Sequence, residues 1–359
     1  MAKAEQVDNL DKSLTGRIRT GIKNIDGNVM RLWIAVIVIL ILLGLARPDT
    51  FLTWRNMQSM AFQASEIGIL SIAIMVSMLS GGIDLSIVST ANLAGILAGL
   101  ILTAMVPADA GGGTVALAMT LAIVAAVFTG FLAGAFNGFL VAVMGMPPIL
   151  ATLGTLLMYK GIGTGISKGS TIFGIQQSQF IGNGTILSIP FPLILLVAIA
   201  IVISIILNRS RFGLRLYMLG TNPIASRFSG INNRQILMRS YVISGMLAAT
   251  AGIVILGRTN GANVDFGGSY ILLSILIAVL GGVNPYGGSG TVIGVMLALV
   301  ALQFLSTGFN MLLFRSSGAN FFKEFSWGAL LIIILVVNYF SHKRRERKAA
   351  LESSAESKN

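Results

Sequence analysis

The sequence predicts an all-α polytopic membrane protein with about ten transmembrane helices. Three observations carry this reading. The chain is 55% hydrophobic and 11% charged, against roughly 25% charged residues in soluble domains. Its apolar runs approach the roughly 20 residues that cross a bilayer core, which excludes the alternating ten-residue segments of a membrane β-barrel. The net charge of +12 gathers beside those runs, where basic residues fix orientation. That placement indicates a bilayer and not nucleic acid.

Residues 1–31 form a polar N-terminal segment with six basic residues. Leu10, Leu14, Ile18 and Ile22 recur every four positions, as in a helix lying on the membrane surface; Gly16 and Gly21 weaken that pattern. Residues 32–340 form the transmembrane domain. Its first span is Leu32–Ala46. The polar lead before it is long for a signal peptide, and no small-residue cleavage site precedes Arg47-Pro48. Further spans are expected near 62–79, 85–106, 115–136, 139–166, 189–207, 239–257, 271–283 with its continuation, 291–312 and 325–340. Residues 341–359 form a basic tail.

The N-terminus, the 208–239 loop and the tail carry six Lys and Arg each, whereas the five opposite segments share six. This bias makes both termini and the 208–239 loop cytoplasmic. Trp54 and Trp327 then mark the outer boundary, and Trp33 and Tyr339 the inner one. Five spans per half give a 5+5 inverted repeat, a common transporter plan. Gly81-Gly82-Ile83-Asp84 is weakly echoed by Asn263-Val264-Asp265-Phe266.

The loop from Asn208 to Arg239 holds six arginines and no acidic residue. Within it, Asn222 is a side-chain N-cap and Pro223 suits the first helical position. Ile224, Ala225 and the residues to Ser229 make about two turns, and Gly230 takes the left-handed conformation that ends a helix. This piece is read as a lug for a cytoplasmic partner.

Two stretches interrupt the apolar pattern. Ser80-Gly81-Gly82-Ile83-Asp84-Leu85-Ser86 puts a carboxylate between two spans, which costs roughly 2.5–3.5 kcal/mol at mid-membrane. Two readings stand side by side: a discontinuous helix whose Asp84 and Ser86 line or brace a polar cavity, or a cytoplasmic turn with Asp84 capping the next helix. Gly281–Gly290, containing Asn284 and Pro285, is likewise a re-entrant segment or an inner turn. Pro147 and Pro148 are expected to kink the fifth span, with Thr152 and Thr155 meeting the freed carbonyls. Glycines at four-residue spacing (Gly95/Gly99, Gly130/Gly134/Gly138, Gly161/Gly165) indicate close helix packing.

The composition also excludes chemistry. With no cysteine, there is no thiolate site. The single histidine, His342, lies in the tail, so no metal site or histidine-based catalysis is expected within the membrane. No lysine follows a glycine, so no phosphate-binding loop of that type exists. Few acidic groups lie in the spans, unlike an ion-coupled carrier. If the chain pumps, its energy comes from elsewhere.

The ordered set Gly81-Gly82-Ile83-Asp84-Leu85-Ser86, Asn137-Gly138, Met146-Pro147-Pro148, Thr152-Leu153-Gly154-Thr155, Gly213, Gly220-Thr221-Asn222-Pro223-Ile224-Ala225, Ser229-Gly230-Ile231, Ser244-Gly245 with Ala248, and Gly281-Gly282 with Gly287-Gly288-Ser289-Gly290 resembles the permease subunits of bacterial ABC importers of the ribose/galactose (monosaccharide) type. The resemblance spans roughly residues 56–340. It implies an inner-membrane permease, not itself an enzyme, paired with a second permease protomer in a homo- or heterodimer. It implies a cytoplasmic ABC ATPase docked on Asn222–Gly230 and a periplasmic sugar-binding protein. No cofactor is expected on this chain; ATP and Mg belong to the partner ATPase. Ile87-Val88, Ser226 and Val283-Asn284-Pro285-Tyr286 depart from the family pattern and bear on which sugar is carried. The competing expectations are an ion-gradient-driven secondary carrier and a passive facilitator.

Overall fold

The computed structural model describes residues 27–107, 110–174, 178–313, 322, 324–333 and 336. The surface helix expected around Leu10–Ile22, the tail with His342, and Tyr339 lie outside them. The helices are α1 (Gly27–Ala46), α2 (Pro48–Phe51), α3 (Trp54–Leu79), α4 (Ile87–Met105), α5 (Gly112–Ala142), α6 (Pro148–Ser167), α7 (Gln179–Asn183), α8 (Phe191–Arg209), α9 (Arg211–Thr221), α10 (Pro223–Phe228), α11 (Asn233–Thr259), α12 (Tyr270–Leu280), α13 (Val292–Leu312) and α14 (Glu324–Ile333). Eight of the described helices are long and apolar enough to cross a membrane, and α12 and α14 are shorter apolar helices. Strand structure among the described residues is two antiparallel ladders. β1 (Ile172–Phe173) pairs with β4 (Gly261–Ala262), and β2 (Thr185–Ile186) with β3 (Ile189–Pro190).

The helix α3 is the central post. Every residue from Ala64 to Ser80 is buried, so its polar groups must be met inside the protein. Ser65, Ser71 and Ser77 return their hydroxyls to the carbonyls of Ala61, Ile67 and Ile74 on their own helix, a local bond that these side chains readily make. Around α3 pack α4, α8, α11, α12 and α13. α3 and α11 run antiparallel. Gly82, just past α3, lies against Tyr241 in the first half of α11, while Glu66 meets Arg258 near the far end of α11. The outer helices α1, α5 and α8 turn side chains such as Ile34, Ile41, Leu121, Phe128, Val197 and Ile201 outward, as lipid-facing surfaces require.

Three boundaries differ from expectation. α3 starts at Trp54 and not near 62, because Thr53 caps it by accepting from the Asn56 amide. α5 and α6 break between Ala142 and Pro148, not near 137. Pro147 and Pro148 therefore do not kink a span: Pro148 opens α6 with Pro147 ahead of it, where the missing N–H has no cost. Trp327 packs partly buried against the core.

Most of the spaced glycines mark backbone contact. A Cβ on Gly245 would strike the Gly130 carbonyl oxygen and stand 2.9 Å from the Gly134 Cα, so α11 and α5 touch backbone to backbone. Gly95 and Gly252 serve the α4–α11 contact in the same way. Gly161 and Gly165 differ, with nothing within 4 Å of an added Cβ. Replacing Gly245 with Val should separate α5 from α11 at a cost of about 1–3 kcal/mol or more. Thermal unfolding in detergent should show a clear drop for Gly245→Val and none for Gly113→Ala, where a Cβ meets open space.

Candidate functional site: a polar junction and a capped helix at one end of the bundle

The chain leaves α3 through Ser80 and Gly81. Gly81 has φ +86°, a backbone region where only glycine is unstrained. The chain then turns inward, and Asp84 is 1% exposed. Its Oδ1 accepts from the Ser86 amide (3.0 Å), the Ser86 hydroxyl (2.7 Å) and Asn137 Nδ2 (3.4 Å), and its Oδ2 from the Ser244 hydroxyl (3.2 Å). Asn137 Nδ2 also donates to the Ser86 hydroxyl at 2.7 Å. The Tyr159 hydroxyl reaches the Ala133 carbonyl at 2.9 Å and Asn137 Oδ1 at 3.3 Å. Ser77 accepts from the Asp84 amide at 3.3 Å.

Thr152 stands at the same place. Its hydroxyl lies 3.1 Å from the Ile83 carbonyl and 2.8 Å from that of Pro148, and Thr155 donates to the Thr152 carbonyl at 3.2 Å. With no kink present, these threonines do not meet carbonyls freed by one; Thr152 instead ties the start of α6 to the α3–α4 break. Asp84 thus sits in a junction of α4, α5, α6 and α11, surrounded by protein donors. Those donors make Asp84 a brace between these helices.

The second break, Gly281–Gly290, is a turn at the end of the bundle. The amides of Gly281, Gly282 and Val283 close α12 by bonding Ile277, Val279 and Ala278 carbonyls. Asn284 shapes the turn itself: its Oδ1 accepts from the Tyr286 amide and its carbonyl from the Gly287 amide. The Gly288 amide then donates to the Leu79 carbonyl at 3.1 Å, and the Tyr217 hydroxyl to the Gly290 carbonyl at 2.8 Å. Asn28, at the start of α1, lies against Gly282. Both breaks, the start of α1 and α9 therefore meet at one end. From that end the first break dips inward, since Ser244 is eleven residues, or about 16 Å, along α11.

The six-residue α10 stands beside them. Asn222 Oδ1 accepts from the Ile224 and Ala225 amides, both at 3.0 Å. Pro223 holds the first position. Ser229 donates its hydroxyl to the Ala225 carbonyl, Gly230 has φ +76°, and the Ile231 amide returns to the Ser226 carbonyl. The buried Ser226 donates to Asn233 Oδ1 (2.9 Å), while Asn233 Nδ2 donates to the Pro223 carbonyl (2.8 Å). This fixes α10 on the start of α11. Outward it presents Ile224, 69% exposed, and Phe228, 89% exposed. Sequence reasoning did not single out Phe228; an aromatic next to an arginine in a polar loop was the available signal.

Two charged groupings were also missed. Glu66, 1% exposed, accepts from Arg258 Nε (2.9 Å) and Nη2 (2.8 Å) and from the Tyr270 hydroxyl (2.7 Å). This planar two-point pairing is how arginine holds a buried carboxylate. Arg258 and Tyr270 border a cavity of about 130 Å³ that Gln63, Gln303, Ser306 and Trp327 also line. Elsewhere Lys160 Nζ lies 2.6 Å from Asp265 Oδ1.

Removing the Asp84 carboxylate leaves the Ser86 and Ser244 hydroxyls and the Ser86 amide without an acceptor, each costing about 1–3 kcal/mol. Asp84→Ala should lower the unfolding temperature in detergent by several degrees, and Asp84→Asn, which keeps one acceptor oxygen, by less. Equal melting of Asp84→Ala and the unaltered protein would remove the bracing role.

The family described as "Branched-chain amino acid transport system / permease component" matches residues 56–336. The autoinducer 2 import system permease protein LsrD of Enterobacter sp. (strain 638) is 30% identical over 315 residues, covering 85% of this chain and 90% of the relative. LsrD of Yersinia enterocolitica (serotype O:8 / biotype 1B) is 30% identical over 277 residues, covering 75% and 79%. LsrD of Yersinia pseudotuberculosis (serotype IB) is 30% identical over 302 residues, covering 79% and 86%. No solved structure matches the chain. The multi-helix membrane architecture and the match over most of its length show that this chain belongs to the branched-chain amino acid transport system permease component family.

Proposed function

We propose that the chain is the membrane-embedded subunit of an ATP-driven importer in a bacterial inner membrane, and that it carries a small, hydroxyl-rich, sugar-like solute. The observation that carries this reading is α10. A short helix capped at both ends, anchored by Asn233 and Ser226, holds two apolar side chains out into arginine-rich surroundings. Exposed apolar side chains on a rigid element are what a protein partner buries. The chain has no lysine after a glycine, so the nucleotide chemistry belongs to a separate ATPase seated on α10.

Residues 32–340 then act as the permease domain, residues 1–31 and 341–359 as cytoplasmic segments, and both termini and the 208–239 loop face the cytoplasm. The charge bias supports that orientation. α9 joins α10 to both breaks through the Tyr217–Gly290 bond and the Gly220–Leu79 contact. Force applied to α10 reaches the end of α3 and the α12–α13 turn through it. Gly81, Gly82, Asp84, Ser86, Pro147, Pro148, Thr152, Thr155 and Asn284 are the joints that keep their helices together as that end moves. A periplasmic binding protein supplies the solute and its affinity, and a second permease protomer completes the passage. The substrate class rests on relatives named for autoinducer 2 import and on the motif resemblance to monosaccharide importers.

In cells making the protein at normal level, Ala225→Arg or Phe228→Asp should cut solute uptake at least tenfold, and ATPase stimulation should be lost in the purified complex. Normal uptake and stimulation in both variants would overturn the docking role. Uptake of labelled pentoses, hexoses, polyols and branched-chain amino acids by the intact importer tests the substrate. Saturable uptake of an amino acid alone would overturn the sugar-like class.

A further inference from the structure

From Gly169 to Asn208 the chain carries no charged residue. The second part of that stretch is α8, which turns an apolar face to lipid. The first part, Gly169–Pro190, links α6 to α8, and a water-facing segment of its length would hold about five charges. Its described residues instead turn apolar side chains outward: Phe173, Phe180, Ile186, Leu187 and Ile189 are exposed. Ile186 and Ile189 are cross-strand partners in the β2–β3 hairpin, so their side chains share one side of it. Leu187, at the tip, is 92% exposed.

The hairpin is fastened to the end of the bundle opposite α10. Gln58 Nε2 donates to the Ser188 carbonyl at 2.7 Å, the Phe191 amide to the Gly184 carbonyl at 2.8 Å, and Asn183 Nδ2 to the Gly257 and Arg258 carbonyls, both at 3.1 Å. These bonds set its depth. α8 has 19 residues, a rise of about 28 Å, which nearly matches the roughly 30 Å hydrocarbon core. Its first residue, and the hairpin beside it, therefore stand at a hydrocarbon boundary. Gln58 lies four residues, or about 6 Å, inside α3 from Trp54, so the Ser188 carbonyl does not rise past the start of α3. Ile194, Val197, Ile201 and Ile205 make the outward stripe of α8. At its head Phe180 stacks on Phe191, ring centroids 5.3 Å apart, and the apolar surface continues through this pair into α7. Leu187 and Ser188 have φ +51° and +65°, a left-handed pair that Asn-Gly fills without strain in a two-residue turn. A leucine held there is strained, which points to a use for its side chain.

We propose that α7 and the β2–β3 hairpin rest in the headgroup–acyl boundary of the bilayer, with Leu187 inserted there as an anchor. α10 and this hairpin both expose apolar groups, and charge tells them apart. α10 stands among arginines, whereas the hairpin offers no charge to water or to a protein partner and adjoins a lipid-facing helix. Lipid is the occupant that matches such a patch. Bound to α3, α8 and α11 at once, the anchor fixes the level of these three helices against the membrane surface. This placement does not depend on the partner ATPase.

The chain has no cysteine, so one introduced cysteine can carry a single nitroxide. Ser188→Cys leaves every apolar group of the hairpin in place. Ile201→Cys on α8 is the lipid comparison, and Gly111→Cys, just ahead of α5, the water comparison. Each full-length chain would be labelled and placed in phosphatidylethanolamine–phosphatidylglycerol vesicles, and collision with oxygen measured against collision with a nickel chelate. The oxygen-to-nickel ratio at 188 should exceed that at 111 at least threefold and lie nearer the value at 201. Adding Leu187→Asn, which suits the turn but removes the anchor, should lower the ratio at 188 at least twofold. A ratio at 188 equal to that at 111 overturns the lipid contact. Nickel collision at 188 that falls only when the periplasmic binding protein is added puts a protein on the tip and overturns it too. An unchanged ratio after Leu187→Asn overturns Leu187 as the anchor.

Discussion

A carboxylate without water must be met by donors, and most of this bundle is arranged around meeting one. Asp84 draws on Ser86 at the start of α4, Asn137 on α5 and Ser244 on α11. Thr152 of α6 holds the backbone beside it. These bonds can form only if α5 and α11 approach closely, which Gly130, Gly134 and Gly245 permit. They also require the chain to turn sharply after α3, which Gly81 allows. Packing and polarity therefore specify the same arrangement: small residues bring the helices together and the carboxylate sets their register.

Local features were legible in the sequence, and distant ones were not. Apolar runs of sufficient length marked the helices. The α10 cap was readable because its signals, Asn222, Pro223 and Gly230, lie within nine consecutive residues and act on their own backbone. The partners of Asp84 lie as far as 160 residues away and those of Glu66 up to 204, and no periodicity encodes such pairings. Pro147 and Pro148 were misread for a different reason. The run Val141–Met146 is apolar on both sides of the turn, so composition could not tell a kinked helix from two helices meeting. A span starting near 62 would put Glu66 near a helix end; the start at Trp54 puts it well inside.

Gly81–Asp84 and Asn263–Phe266 each follow a long helix, α3 or α11, and each precedes the next helix of the bundle. The two long helices run in opposite directions, so Gly81–Asp84 and Asn263–Phe266 enter from opposite ends. Asn92, a few residues after the former, grips the latter by its carbonyls. The two aspartates differ in surroundings: one is sealed among helices, and the other is paired at the surface with a lysine. Asp84 is thus a fixed brace, and Asp265 an outward-facing charge.

The small β1–β4 ladder has a kinematic consequence. It joins the chain just after α6 to the chain just after α11 through Ile172 opposite Ala262. Asn263 adds a bond to Thr171, and Lys160 one to Asp265. Fastened at both levels, α6 and the 261–266 segment are coupled, so a rotation of α6 would carry to the chain that leads into α12.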